Sequence, residues 1–335
     1  MMSKLPDRYR ALRVSETPSG FTRSVEELNS GRLAGPGNLV RVHYSSLNYK
    51  DALSASGNRG VTSNYPHTPG IDAAGIVVRS AGGRFPEGRK VLVTGFDMGM
   101  NTPGGFGEYV QVPDDWIVPL PTGLTLKEAM IFGTAGFTAA YGVLKIVRSG
   151  ITADIGPVVV TGSTGGVGSI ATALLSLLGY RVTAVTGKNS QSDFLLKLGA
   201  EKAVDRQTVT DHSGRHLLKG TWAAAVDTVG GTILDTVIRQ TQSAGIVVCC
   251  GNILGHSLQT SIYPFILRGI GLLGIDSGSC PMSRRLELWE KLAGDWKLPQ
   301  LEEISREVSL DHLPGEIDAI LKGEQSGRVV VNLLD

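Results

Sequence analysis

The stretch VVVTGSTGGVGSIATALLSLLGYRVTAVTG, residues 158–187, decides the fold. A β-branched run ends in glycines, an apolar run with helical spacing follows, and a second β-branched run closes the unit. Strand, glycine turn, helix and second strand make the βαβ unit of a dinucleotide site. Glycines let the turn tighten and the backbone approach a pyrophosphate, whose charge meets the positive end of the following helix. Gly162, Gly165 and Gly168 fit those roles. A purely structural glycine turn is the alternative, and the arrival of a second strand at the right distance favours nucleotide binding. The core TGSTGGVG still fits two spacings, TGxxxGxG and GxxGxxG, which serve enzymes with different catalytic groups.

Working outward, βαβ alternation continues downstream. Helix 167–179 leads to strand RVTAVTG, helix 191–199 and strand AEKAVD; AAAVDTVG, a helix over 231–242, GIVVCCG and GLLGIDS follow. These strands are continuously apolar, as in a doubly wound parallel sheet covered on both faces. Upstream, residues 10–130 hold short β runs broken by Gly and Pro (NLVRVHYSSL, AAGIVVRS, RKVLVTGF, EYVQVP, WIVPLP), which predict an antiparallel, barrel-like β domain. Residues 124–147 switch to helical spacing. The tail ends in GRVVVNLLD, a lone strand that returns to the β domain in this reading. The expectation is an α/β protein with a discontinuous β domain, 1–130 and 290–335, and a nucleotide domain, 131–289.

Composition narrows the function classes. A chain of 335 residues exceeds one core, and net charge +1 offers no field for nucleic acid or an anionic membrane surface. Three cysteines, two of them adjacent, predict reduced thiols and a cytoplasmic protein. The opening MMSKLPDRYRAL lacks an apolar leader, and no run approaches 18 apolar residues.

The TGxxxGxG reading, that of short-chain dehydrogenases, needs a Tyr-x-x-x-Lys downstream of the glycines. Tyr180 and Tyr263 are followed four residues later by Ala184 and Leu267. Tyr141 and Lys145 have the spacing but precede the loop, as two residues on one helix face. That reading fails. For the cofactor, the second strand ends VTGKNSQS, without a carboxylate until Asp193. Thr186, Gly187, Lys188 and Ser190 supply hydroxyls, a backbone N–H and a cation, which suit a 2′-phosphate and predict NADPH over NADH. For a metal, the first 248 residues contain no cysteine, and PGIDAAG carries Ile71 and Asp72 where a zinc enzyme of this layout has His and Glu. His212 and His216 lie in a polar loop without companion ligands. No metal is expected.

With SSLNYKDAL, PGIDAAG, GTAGFTA, the glycine motif, DTVGG and PFILR, the chain resembles the zinc-free medium-chain reductases from about residue 10 to the end. It is similar to the NADPH-dependent acrylyl-CoA reductase group, often labelled quinone oxidoreductase-like. The resemblance implies a GroES-like β-barrel catalytic domain, a Rossmann domain and a homodimer, whose subunits we expect to pair through the edge strand LLGIDS. It also implies residue roles. Tyr49 lies beside the nicotinamide, and Thr164, Gly165, Gly166 and Val167 hold the pyrophosphate. Thr186, Gly187 and Lys188 meet the 2′-phosphate, where the family often has Ser-Gly-Arg. Thr228 stands near the adenosine. Leu272, Asp276 and Ser277 approach the nicotinamide, Thr138 orients its carboxamide, and Arg328 reaches the cofactor from the tail.

Without a metal, an alcohol or simple ketone is hard to polarise, whereas a thioester or quinone already activates its conjugated C=C. The protein must orient the reactants, stabilise an enolate oxygen and deliver a proton. Candidates cluster in SLNYKD: Asn48 as donor to the enolate, Tyr49 as proton donor, and Lys50 or Asp51 tuning it. Against this, Asn48 and Asp51 can simply cap a helix, and water can supply the proton. Arg284 and Arg285, or more weakly Arg59, are candidate contacts for CoA phosphates or a lid. Three functions compete: a short-chain 2-enoyl-CoA reductase, a quinone or general enone reductase, and a non-catalytic NADPH-binding protein.

Overall fold

The computed structural model describes residues 5–334, so the first four residues of the opening segment lie outside it. The chain divides into two compact units. One holds the chain up to Thr134, Gly278–Asp295 and the chain from Leu301 onward; the other holds Ala135–Ser277 and Trp296–Gln300.

The first unit begins with a hairpin, β1 (Arg8–Thr17) and β2 (Gly20–Asn29), paired antiparallel along its whole length. β3 (Asn38–Ser46) then leads through Leu47 and Asn48 into the short helix α1 (Tyr49–Ser54). Strands β4 (Asp72–Arg79), β5 (Lys90–Thr94), β6 (Tyr109–Val112) and β7 (Val118–Pro119) complete its N-terminal part.

Helix α2 (Leu126–Arg148) occupies the segment read as helical. It is not continuous: Gly133, at φ 50° and ψ −157°, breaks it into two helices. By composition α2 is long and apolar enough to cross a membrane, an exception to the sequence expectation; 78% of its apolar window is buried in protein, which marks a core helix.

The second unit alternates as expected: β8 (Val158–Thr161), α3 (Gly166–Leu177), β9 (Val182–Thr186), α4 (Ser192–Lys197), β10 (Lys202–Asp205), β11 (Trp222–Asp227), α5 (Gly231–Gln240), β12 (Thr241–Cys249), α6 (Tyr263–Arg268) and β13 (Gly271–Gly274). The sheet order is β10-β9-β8-β11-β12-β13, all parallel, so the winding direction reverses between β8 and β11. Ligands of such sheets bind beyond the carboxyl ends of the strands at that reversal. Val158, Val159 and Val160 are all 0% exposed, which explains why β8 shows no polar alternation.

The chain then returns to the first unit with α7 (Met282–Ala293), β14 (Ser305–Ser309), α8 (Leu313–Leu321) and β15 (Arg328–Asn332). The tail strand β15 pairs antiparallel with β3 (Val330 with Ser46) and parallel with β14. The large sheet of this unit runs β14-β15-β3-β4-β5-β7, with β6 also on β3. Its core gathers Leu12, Val42, Val77, Val93, Phe106, Val110 and Val331. The domain boundary expected at residue 289 falls inside α7. The helix belongs wholly to the first unit because Arg285, 0% exposed, donates to the Thr94 carbonyl at 2.7 Å and its hydroxyl at 2.9 Å.

Candidate active site

In the second unit, the glycine loop is closely packed. Gly162 has φ 60°, and a side chain there would sit 2.3 Å from Thr228 Oγ1. Gly165 caps α3 from outside, leaving Gly166, Val167 and Gly168 in the first turn with N–H groups unmatched within the helix. A Cβ on Gly168 would lie 2.3 Å from the Gly162 carbonyl, so the helix closes on the loop only with glycine there. These groups fit a pyrophosphate. Thr228 stands against the loop, its hydroxyl donating to the Thr161 carbonyl at 2.8 Å. Asp227, 0% exposed, fastens this corner by accepting from Thr161 Oγ1 (2.7 Å) and the Gly230 N–H (2.7 Å). Burial pushes its carboxyl above the usual range.

At the end of β9, Thr186 Oγ1 meets Thr164 Oγ1 at 3.3 Å and accepts from the Lys188 N–H at 3.0 Å. Sequence reasoning missed a neighbour. A Cβ on Gly187 would come within 3.2 Å of Arg206 Nε, so this exposed guanidinium lies beside the turn. Its signal was the position directly after β10, the strand paired with β9. Ser190 is exposed in the following 3-10 turn. Leu272 lies in β13, exposed Asp276 and half-buried Ser277 follow it, and Thr138 is buried on α2. Tyr141 and Lys145 share a helix face: Lys145 Nζ is 4.9 Å from the Tyr141 ring centroid and donates to the Gly274 carbonyl. His212 and His216 line a separate cavity of about 620 Å³ with Asp211 and Asp235, whose carboxylates pair with Arg239.

In the first unit, the SLNYKD segment is built on a buried polar hub. Asn48 precedes α1, and Asp51, its third residue, accepts from the Asn48 N–H at 2.8 Å through Oδ2 and from the Ile71 N–H at 2.8 Å through Oδ1. Asp72 takes more. Its Oδ2 accepts from Ser46 Oγ (2.6 Å), Asn48 Nδ2 (2.7 Å) and the Thr134 N–H (2.9 Å), and its Oδ1 from Thr134 Oγ1 (2.6 Å). Arg328 donates through Nε to the Ile131 carbonyl (3.0 Å), through Nη1 to the Leu47 carbonyl (3.1 Å) and Asn48 Oδ1 (3.3 Å), and through Nη2 to Ser46 Oγ (2.8 Å). Arg328 Nη2 stands 3.8 Å from Asp72.

The break at Gly133 explains two of these partners. At the break the Ile131 carbonyl accepts from Arg328 and the Thr134 N–H donates to Asp72. A Cβ on Gly133 would meet Ser46 Oγ at 2.4 Å, Asp72 Oδ2 at 2.5 Å and Arg328 Nη2 at 2.8 Å. Asp51, buried and close to the charge of Asp72, has its carboxyl pushed up to about 7.

This geometry corrects four sequence expectations. Arg328 is 1% exposed with its donors engaged by protein, so it offers nothing to a cofactor. Asn48 directs its amide at Asp72, Asp51 and the Ser46 carbonyl, which removes it as donor to an enolate. Asp51 is 0% exposed and bonds Asn48 and Ile71, so it caps α1 and reaches no reactant. Arg285 is buried against Phe96 at 4.3 Å, Arg284 pairs with Glu287 and Arg59 with Glu16, so none of the three is a poised phosphate contact. Tyr49, at 36% exposed, and Lys50 are the exposed residues of the segment, whereas Asn48 and Asp51 are buried.

A mostly antiparallel β unit that takes back the C-terminal strand, together with a second unit built on a parallel nucleotide-binding sheet, defines the two-domain dehydrogenase class. Comparisons agree: residues 36–122 match the alcohol dehydrogenase GroES-like domain and residues 166–293 the zinc-binding dehydrogenase domain. The acrylyl-CoA reductase AcuI of Ruegeria pomeroyi is 45% identical over 88% of this chain and 89% of its own. The putative quinone oxidoreductase YhfP of Bacillus subtilis is 43% identical over 97% of this chain and 99% of its own. Among solved structures, Bacillus subtilis yhfP with NAD bound has TM-score 0.94 at 42% identity, covering 98% of this chain and 100% of that one. Escherichia coli K-12 YhdH with bound NADPH has TM-score 0.93 at 41% identity, covering 96% and 99%. The chain therefore belongs to the medium-chain dehydrogenase/reductase family, in the branch holding these acrylyl-CoA reductase and quinone oxidoreductase-like proteins. The zinc in the second domain's description has no donor set to match: among the described residues no group of three or more His, Cys, Asp or Glu side chains is arranged to hold a metal ion, and Asp72 is committed to the hub.

Proposed function

We propose that the protein reduces the activated C=C of a short 2-enoyl-CoA such as acrylyl-CoA, using NADPH and no metal. The observation that carries this reading is the hub. The carboxylate standing where a zinc enzyme of this layout has a ligand is closed off by protein donors, which favours an acceptor already activated by its own conjugated carbonyl. When bound, NADPH would supply the hydride for the β-carbon. The first turn of α3 and the glycine loop hold the pyrophosphate, and Thr186, Lys188 and Arg206 hold the 2′-phosphate. Leu272, Asp276 and Ser277 flank the nicotinamide. Tyr49, exposed at the start of α1, presents its phenol as the proton donor to the α-carbon.

A quinone or enone acceptor is the second reading, favoured by the name given to YhfP. We also propose a cytoplasmic homodimer joined along the open edge of β13, near which Ile262, Ile266 and Leu267 are 62–64% exposed. NADPH consumption with acrylyl-CoA, crotonyl-CoA and a benzoquinone tests the assignment. Turnover of the thioesters supports it; silence with both, against turnover of the quinone, replaces it with the second reading.

A further inference from the structure

We propose that Asp72 and Arg328 are positioning residues for the reduction: together they hold the Leu47–Tyr49 turn in the one geometry that presents the Tyr49 phenol. The inference rests on the role given to Tyr49 above. Helix α1 is only six residues long, too short to be stable on its own, so its start must be fixed from outside. Every residue before Tyr49 is so fixed. Ser46 Oγ bridges the two charges, donating to Asp72 and accepting from Arg328. Leu47 donates its N–H to the Val329 carbonyl at 3.0 Å, and its own carbonyl accepts from Arg328. Asn48 places its amide N–H on Asp72 and its amide oxygen on Arg328.

The same two side chains hold the broken ends of α2 at Ile131 and Thr134. Four stretches distant in sequence, around residues 46–51, 71–72, 131–134 and 328–329, thus meet on one buried ion pair. Removing Arg328 leaves Asp72 buried without its counter-charge, and removing Asp72 takes from Arg328 the stronger of its two carboxylate partners, Asp51 being the other; either way the turn must move to admit water. A displacement of about 1 Å at a proton donor costs on the order of a hundredfold in rate. The tail strand β15 thus supports the turn through the Arg328 guanidinium and the Val329 carbonyl.

The test uses the full-length protein and four variants: Ser46→Ala, Asp72→Asn, Tyr49→Phe and the Asp72→Asn/Tyr49→Phe double. Ser46→Ala removes only the bridging hydroxyl and serves where Asp72→Asn does not fold. We expect kcat for acrylyl-CoA to fall about tenfold or more in Asp72→Asn and less in Ser46→Ala, with NADPH affinity by fluorescence titration within about twofold of wild type. In the double variant the loss should be no larger than the greater single loss, because Asp72 acts through Tyr49. Additive losses, or an unchanged kcat in folded Ser46→Ala and Asp72→Asn, would overturn the proposal. A reaction-independent readout separates this from failure of the assigned reaction. With 3-fluorotyrosine incorporated, the Tyr49 ¹⁹F resonance, assigned by Tyr49→Phe, should be a single sharp line in wild type and shifted or broadened in Ser46→Ala. An unmoved line refutes positioning whatever the substrate proves to be.

Discussion

Replacing Asp51 by asparagine should remove a pH dependence that the native fold carries. The carboxyl lies fully buried with Asp72 nearby, and its pKa rises from an ordinary 3.8 to about 7. Between those two pH values the folded chain keeps a proton that the unfolded chain releases, so stability falls as pH rises. The contribution is fully present below about pH 4 and lost as pH passes about 7. At about 1.4 kcal/mol per pH unit, the full span amounts to about 4 kcal/mol. Asparagine has the same shape and no charge, but one of its two ends is a donor facing the Asn48 or Ile71 N–H. That mismatch costs about 1–3 kcal/mol at every pH. The variant should therefore be the less stable protein at pH 4–5 and draw level with or overtake wild type near pH 8. Paired urea unfolding at each pH, read as the difference between the two proteins, cancels the other titrating groups. A constant difference from pH 4 to 8 would show that Asp51 takes up no proton on folding and would refute the charge balance assigned to the hub.

Gly133→Ala should destabilise the protein by at least about 3 kcal/mol, combining backbone strain at positive φ with displacement of the ion pair; a thermal midpoint unchanged from wild type would contradict the packing described. Lys188→Glu should weaken NADPH far more than NADH, measured by fluorescence titration, since it sets a carboxylate against the 2′-phosphate. Arg206→Ala should lower NADPH affinity by about tenfold and leave NADH unchanged, the size of one lost charged contact. Equal effects on the two cofactors would remove either residue from the 2′-phosphate pocket.

The fold was largely legible because its signals are local. Glycine spacing, β-branched runs and the lone tail strand give the two units, and β15 joins β3 as expected. The hub was not legible. Asp72 is marked in the sequence only as a residue out of place for zinc, and Ser46 and Thr134, inside their motifs, carry no mark of a partner, since Asp72 lies 26 and 62 residues away from them. Arg328 was read toward a cofactor because a tail arginine carries no mark of the carbonyls that surround it. Asn48 and Asp51 illustrate the same limit: the capping alternative was visible, but only burial decided for it. Gly133 inside an apolar helix was the one available hint, because a glycine at that position signals a break or a close approach. Arg206 was missed because strand pairing, not sequence distance, brings it beside Gly187.

The proposed reaction reduces an activated C=C, with the hydride entering at the β-carbon and a solvent-derived proton at the α-carbon. Turnover of acrylyl-CoA with unlabelled NADPH in D₂O tests it most directly, with the propionyl-CoA product examined by NMR. That reaction places one deuterium at the α-carbon and none at the β-carbon. Deuterium at the β-carbon, or a thioester recovered with its double bond intact while NADPH is consumed, would contradict it.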